Sequence, residues 1–209
     1  MKNHVAIHTL LCAVIVIFMA ACSSTNVTGL WKKSDYAGQP LTSVLVVALT
    51  DDNNSRVIWE DKMALQFNNS GVSAVPSAKA FPGDEKITKE EVLQYVEEKN
   101  IESILVTSLV DVKKETTYHP PTMSGGFDGS YGYYNRFDRY YPRTYDRVYS
   151  PGYTATSTKV LLETNLYQSD SRELIWSMSS KTSDPASVNT LVESVGKQVV
   201  KNLKDANLI

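Results

Sequence analysis

Leu41-Thr42-Ser43-Val44-Leu45-Val46-Val47-Ala48-Leu49-Thr50 is a continuous apolar, β-branched run. It has no polar residue at alternate positions from Val44 to Leu49, so it reads as a strand covered on both faces. Asp51, Asp52, Asn53 and Asn54 follow, residue types that accept hydrogen bonds from the free amides at a helix start. Val57, Glu60, Met63, Ala64 and Phe67 then recur at three and four residues, predicting a helix to about Asn68 that Gly71 ends. Val72 to Pro76 reads as a short second strand and Ser77 to Lys86 as a loop. Thr88 and Glu91 have capping-box spacing ahead of Val92, Leu93 and Val96, so a second helix runs to about Asn100. Ser103 to Val112, with Ile104-Leu105-Val106 at its centre, reads as a third strand. Strand, helix, strand, helix, strand in this order predicts an α/β layer.

Beyond residue 153 the period changes. Val160, Leu162, Thr164 and Leu166 alternate along one extended segment, and Leu174, Trp176 and Met178 along the next. Ser169-Asp170-Ser171 lies between them as a turn, so the pair reads as a hairpin. Asp184-Pro185 opens a last helix, striped by Val188, Leu191, Val192, Val195, Val199 and Leu203. The predicted fold is a mixed α/β (α+β) domain over 41–209, a single sheet of about five strands with helices packed on it. Its order is β-α-β-α-β, a long excursion, then β-β-α.

The excursion, 119–153, is unlike the rest of the chain. It holds eight of the twelve tyrosines, among them Tyr133, Tyr134, Tyr140 and Tyr141. It also holds Arg136, Arg139, Arg143 and Arg147, four of the six arginines, with Gly125, Gly126, Gly129 and Gly132 in its first half and Pro142 and Pro151 in its second. Aliphatic residues are too few to build a core, and a loop of this length within a domain is uncommon unless functional or disordered. Tyr and Arg bring large contact area with polar tips, which suits a protein interface. Tyrosine faces also stack on sugar rings, so peptidoglycan is a second candidate ligand; a flexible insertion without a partner is the third reading. The binding candidates are Tyr133, Tyr134, Arg136, Arg139, Tyr140, Tyr141 and Arg143.

At the other end of the chain, Lys2, His4 and His8 precede Leu10 to Ala21, which carries no charge, and Phe18-Met19-Ala20-Ala21 leads to Cys22. A basic start, an apolar core and small residues before a cleavage point are the order of a secretory signal. An ordinary cleaved signal and an uncleaved span are the competing readings. The run is short for a span, which needs about 20 apolar residues. The segment ending at Cys22 resembles the bacterial lipobox. That resemblance implies a signal peptide at 1–21, lipidation (palmitate among the acyl chains) of Cys22, and attachment to an envelope membrane. Ser23 in place of aspartate implies the outer membrane, periplasmic face. Residues 22–40, rich in Ser, Thr, Asn, Gly and Lys, read as a tether.

Loss of 1–21 removes Lys2 and Cys12, moves the formal charge from −2 to −3, and leaves no thiol free to form a disulfide once Cys22 is acylated. A mildly acidic chain without a polybasic block disfavours nucleic acid. His119 becomes the sole histidine, on a strand edge before Pro120-Pro121, a surface position. There is no phosphate loop and no Gly-x-Ser-x-Gly elbow, and no cofactor or metal motif. Asp51 and Asp52, at a strand-to-helix junction, are the candidates for a carboxylate-centred catalytic or metal site near Asp51, with helix capping the plainer reading of both. The expectation is a non-enzymatic, lipid-anchored module that binds a periplasmic or outer-membrane protein or helps envelope assembly. Peptidoglycan binding is the alternative, and an enzyme at Asp51 the second alternative.

The strand Val44-Leu45-Val46-Val47-Ala48 with its following helix, and the hairpin around Glu163-Thr164-Asn165-Leu166-Tyr167 and Leu174-Ile175-Trp176, resemble the small α/β domain of bacterial envelope lipoproteins. Penicillin-binding-protein activators and the curli secretion channel subunit are of this kind, and the TolB amino-terminal domain is similar. The resemblance spans about residues 41–205 and implies a fold of this architecture, with no functional residue carried over. The tyrosine-rich insertion departs from it.

Overall fold

The computed structural model describes residues 25–36, 38–83, 86–119, 136–138, 141, 145 and 152–209. In chain order the elements are β1 (Thr25–Lys32), β2 (Ser43–Leu49), α1 (Asn53–Asn68), β3 (Ser73–Pro76), α2 (Ser77–Ala80), α3 (Lys89–Glu98), β4 (Ser103–His119), β5 (Tyr153–Gln168), β6 (Leu174–Ser183) and α4 (Val188–Asp205). The strands form one six-stranded mixed sheet in the order β1-β6-β5-β4-β2-β3. β3, β2 and β4 run parallel, joined by crossovers that carry the helices. β5, β6 and β1 continue the sheet antiparallel from β4.

β2 is covered on both faces, as its unbroken apolar run requires. Val44, Val46 and Ala48 enter the larger core, with Trp59, Met63 and Phe67 of α1 and Val192, Val195, Val199 and Leu203 of α4. Leu45 and Val47 enter a smaller core with Val96, Ile101 and Ile104, beneath α3. Leu162, Leu166, Trp176 and Met178 complete the larger core from β5 and β6. Each such side chain, fully buried, contributes about 1.5–3 kcal/mol. The chain end is tied in too: the Leu41 amide donates to the Leu208 carbonyl at 2.8 Å, with Leu208 buried.

Several boundaries differ from the sequence reading. The tether of 22–40 is not all tether. Thr25–Lys32 pairs antiparallel with β6, from Thr25↔Thr182 to Lys32↔Trp176, and makes a sixth strand where about five are expected. A short helix, α2, occupies the start of the expected 77–86 loop, because the Glu60 carboxylate accepts the amide of Ala78 and the hydroxyl of Ser77. The third strand does not stop at Val112 but continues to His119. Val57 is exposed, and Arg56 and Trp59 take its place on the buried side of α1. A bulge between Leu166 and Tyr167 shifts the β5–β6 register, so Ile175 is buried and Leu174 is not. Asp184 does not open the last helix. It adopts φ 47° and accepts the Thr158 amide at 2.6 Å and the Ser157 hydroxyl at 3.0 Å, while Ser187 caps α4 through a reciprocal box with Thr190.

Candidate functional site

The strands that flank the long excursion, β4 and β5, pair as a hairpin. β2 pairs with β4 only as far as Leu49↔Ser108, and β6 pairs with β5 only from Lys159↔Ser183. β4 and β5 nevertheless stay paired with each other to His119↔Tyr153. Beyond Lys114↔Thr158 neither strand has a further partner strand among the described residues, and the pair leaves the body as a two-stranded arm. Every residue of β4 from Val112 onward is exposed. The arm is held by its own ladder, by Thr116 and Thr156 hydroxyls 3.4 Å apart, and at its end by His119 stacked on Tyr153 with ring centroids 4.8 Å apart. Gly152 lies so close to the Tyr118 ring and the His119 carbonyl that a Cβ there would come within 2.7 Å of that oxygen. The position therefore demands glycine.

Of the seven binding candidates, Arg136 and Tyr141 are among the described residues. Arg136 pairs with Asp138 at 3.0 Å. Tyr141 lies between Phe137 and Tyr145, with centroids 5.0 and 5.9 Å away, and all three rings are exposed. Phe137 is not among the Tyr and Arg candidates, although its spacing of four from Tyr141 is that of a helical row. Tyr133, Tyr134, Arg139, Tyr140 and Arg143 lie outside the described residues, as do Cys22 and the whole of 1–21.

The carboxylates near the end of β2 divide into three roles. Asp52 is the N-cap of α1, accepting the amides of Asn54 and Ser55 and the Ser55 hydroxyl, and these bonds hold its carboxyl below the ordinary carboxylate range. Asp51 is exposed on the rim of a cavity of about 820 Å³ between α3 and the open face of the sheet. The cavity floor is Val47, Leu49, Ile104, Val106 and Tyr167, and the charges around it are Arg56, Lys86, Lys89 and Arg172. Asp51 is the sole carboxylate among the described residues lining it, so no acid–base pair converges there.

Glu60 is the third. Sequence periodicity puts it on the inner side of α1 and says nothing of its surroundings. It is fully buried, accepting the Ala48 amide at 2.9 Å, the Ser77 hydroxyl at 2.7 Å and the Ala78 amide at 2.6 Å. Burial pushes its carboxyl above the ordinary value, while those three donors and neighbouring Arg56 pull it back. All three donors come from the chain itself, so the carboxylate ties β2, α1 and α2 together. Arg56 donates from one guanidinium NH2 to the carbonyls of Phe81 and Gly83, 3.4 and 3.3 Å away.

Among the described residues no group of three or more His, Cys, Asp and Glu side chains converges as a metal would need. Nor is any helix among them long and apolar enough to cross a membrane. No protein-family model matches the chain, and no curated protein matches it. Among solved structures it is similar to the PelC dodecamer from Paraburkholderia phytofirmans, at 11% identity over 82% of this chain and 94% of that one, with a TM-score of 0.44. It is also similar to lipoprotein GNA1162 from Neisseria meningitidis, at 14% identity over 78% and 99%, with a TM-score of 0.43. Likeness at this level says nothing of what the chain binds.

Proposed function

We propose that the chain is a non-catalytic, lipid-anchored envelope protein, held at the periplasmic face of the outer membrane through Cys22, that captures a protein partner with the β4–β5 arm. The observation that carries this reading is the arm itself. Among the described residues this two-stranded ribbon has no partner strand on either edge and no buried side chain, and a lone hairpin is marginal in water. The ribbon's end, at His119 and Tyr153, leads into the Tyr- and Arg-rich stretch of sequence 120–152. The anchor rests on the signal-like residues 1–21 and the small residues before Cys22. The absence of an enzymatic role rests on the uses found for the carboxylates: Asp52 caps, Glu60 braces, and Asp51 stands alone.

The test is site-specific photocrosslinking in cells from Phe137 and Tyr141, with a probe at Glu98 on the body as control. A discrete protein adduct from the arm positions, lost when Tyr133, Tyr134, Tyr140 and Tyr141 are changed together to Ser, supports the reading. Adducts only from the body positions reject it and move the binding surface to the groove beside α3.

One observation favours a second reading. Phe137, Tyr141 and Tyr145 form a row of exposed rings, a surface on which sugar rings stack. Co-sedimentation with purified peptidoglycan, abolished by Tyr141→Ser with Phe137→Ser, is the outcome this reading requires.

A further inference from the structure

Thr25 opens β1 in the same row of the sheet as Thr182, Val160 and Val112, since Thr25 pairs with Thr182, Thr182 with Val160, and Val160 with Val112. The arm leaves the body beyond that row. The point where the chain enters the domain and the point where the arm departs are therefore at one end of the sheet, two to three strands apart, about 10–15 Å.

Two lengths now compete. Only Ser23 and Ser24 separate Cys22 from Thr25. Fully extended, that spacer lets an acylated Cys22 stand at most about 11 Å from Thr25. From Val112↔Val160 to His119↔Tyr153 the arm continues for seven further residue pairs, about 23 Å at 3.3–3.4 Å per residue. A membrane surface within 11 Å of Thr25 leaves no room for a 23 Å arm to stand upright beside it.

We infer that the β4–β5 arm lies along the headgroup layer of the membrane that holds the N-terminal lipid. The inference rests on the lipid anchor at Cys22 proposed above. Its ligand is a phospholipid surface, and the arm has suitable side chains for one. Tyr118, His119 and Tyr153 are at the far end, with Tyr118 61% and Tyr153 66% exposed. Tyrosine favours the boundary where a ring meets apolar chains and its hydroxyl meets water. Lys113, Lys114 and Lys159 stand at the base, where phosphate oxygens would meet them. Asp111, 3.6 Å from Lys113, and Glu115 stand among these lysines, so the short spacer and the aromatic end place the arm, with little help from net charge. The body behind it, with α3 ending at Glu98 beside the opposite end of the sheet, faces away from the bilayer.

The full-length protein, purified from membranes and reconstituted in phosphatidylethanolamine–phosphatidylglycerol vesicles containing a nickel-chelating lipid, tests this. Nitroxide labels go on Thr117→Cys in the arm and on Glu98→Cys at the far end. Mass spectrometry of the N-terminal peptide reads acylation of Cys22 on the same samples. The expected result is faster spin relaxation at 117 and none at 98. An acylated protein with no relaxation at 117, or equal relaxation at both sites, overturns the docked arm and leaves the anchor standing. A peptide without acyl chains overturns both. A third variant, with a flexible Gly-Ser linker of about 20 residues after Ser24, has an r.m.s. reach of about 25 Å. Relaxation at 117 should then fall, and relaxation that survives unchanged overturns the spacer as its cause.

Discussion

Glu60 shows how one buried carboxylate can organise the junction of three elements. Its oxygens meet three donors and its own chemistry offers none, so an amide in its place turns an NH2 group toward N–H or O–H donors. Glu60→Gln should lower unfolding stability by about 1–3 kcal/mol, the usual cost of a buried donor left without its acceptor, as read by urea denaturation. Its pH dependence has the opposite sign to that of the surface carboxylates. Asp52, Glu91 and Asp184 are held below the ordinary carboxylate value, each by hydrogen bonds from neighbouring backbone and hydroxyl groups. Their stabilisation is present above that value and is lost as pH falls through their folded values. Glu60 is held above it, so its contribution is complete below the ordinary value and is lost as pH rises through its folded one. In the Glu60→Gln variant, stability should therefore climb more steeply with pH just above the ordinary carboxylate range than in the parent. An unchanged slope would mean that Glu60 titrates as it does in the unfolded chain.

The helices that cover the larger core depend on a close crossing. Gly196, in the middle of α4, faces Gln66 of α1, whose amide donates to the carbonyls of Val192 and Glu193 at 3.3 and 3.4 Å. A Cβ at 196 would stand 2.6 Å from the Gln66 nitrogen. Gly196→Ala gains about 1 kcal/mol in helix propensity and displaces a flexible side chain, so its melting temperature should hardly move. Gly196→Leu has no such space and should cost about 1–3 kcal/mol by overpacking. Trp176 on β6 is buried among Leu166, Met178 and the α4 stripe, and Trp176→Ala should cost about 3–5 kcal/mol through the cavity it leaves. The cap of α4 is worth less: Ser187→Ala should cost about 1 kcal/mol in the same calorimetric series.

At the scale of the whole molecule, body and arm separate cleanly. The body is two cores on either side of a sheet, and the described residues of the arm add no buried side chain to either. Joining His119 to Tyr153 by a short Asn-Gly turn, with residues 120–152 removed, should leave the melting temperature within a few degrees. The remaining ladder is already paired to its last residues, and the cost of closing a loop varies only slowly with its length. Partner capture should be lost in the same variant. A shortened protein that fails to fold would make the segment part of the structure and would sink the division between body and arm.

Local chemistry made much of this legible in the residues alone. The run Val44 to Leu49 announces a strand covered twice, because no polar position interrupts it. Thr88 and Glu91 announce a helix start that the structure reproduces with both bonds of the box. Three things were settled only by tertiary structure, each for a stated reason. β1 is an edge strand, largely exposed, so it carries no apolar alternation and reads as tether until β6 supplies its partner. The outer halves of β4 and β5 have no buried face, so Thr, Lys and Tyr follow one another without a period and the arm appears only through its pairing. Glu60 has the right spacing for the inner side of a helix, but its role depends on an amide 12 residues before it and on two donors 17 and 18 residues after it. Periodicity records which side of an element is covered; it does not record what the covered atoms meet, and at Glu60 and along the arm that meeting decides the structure.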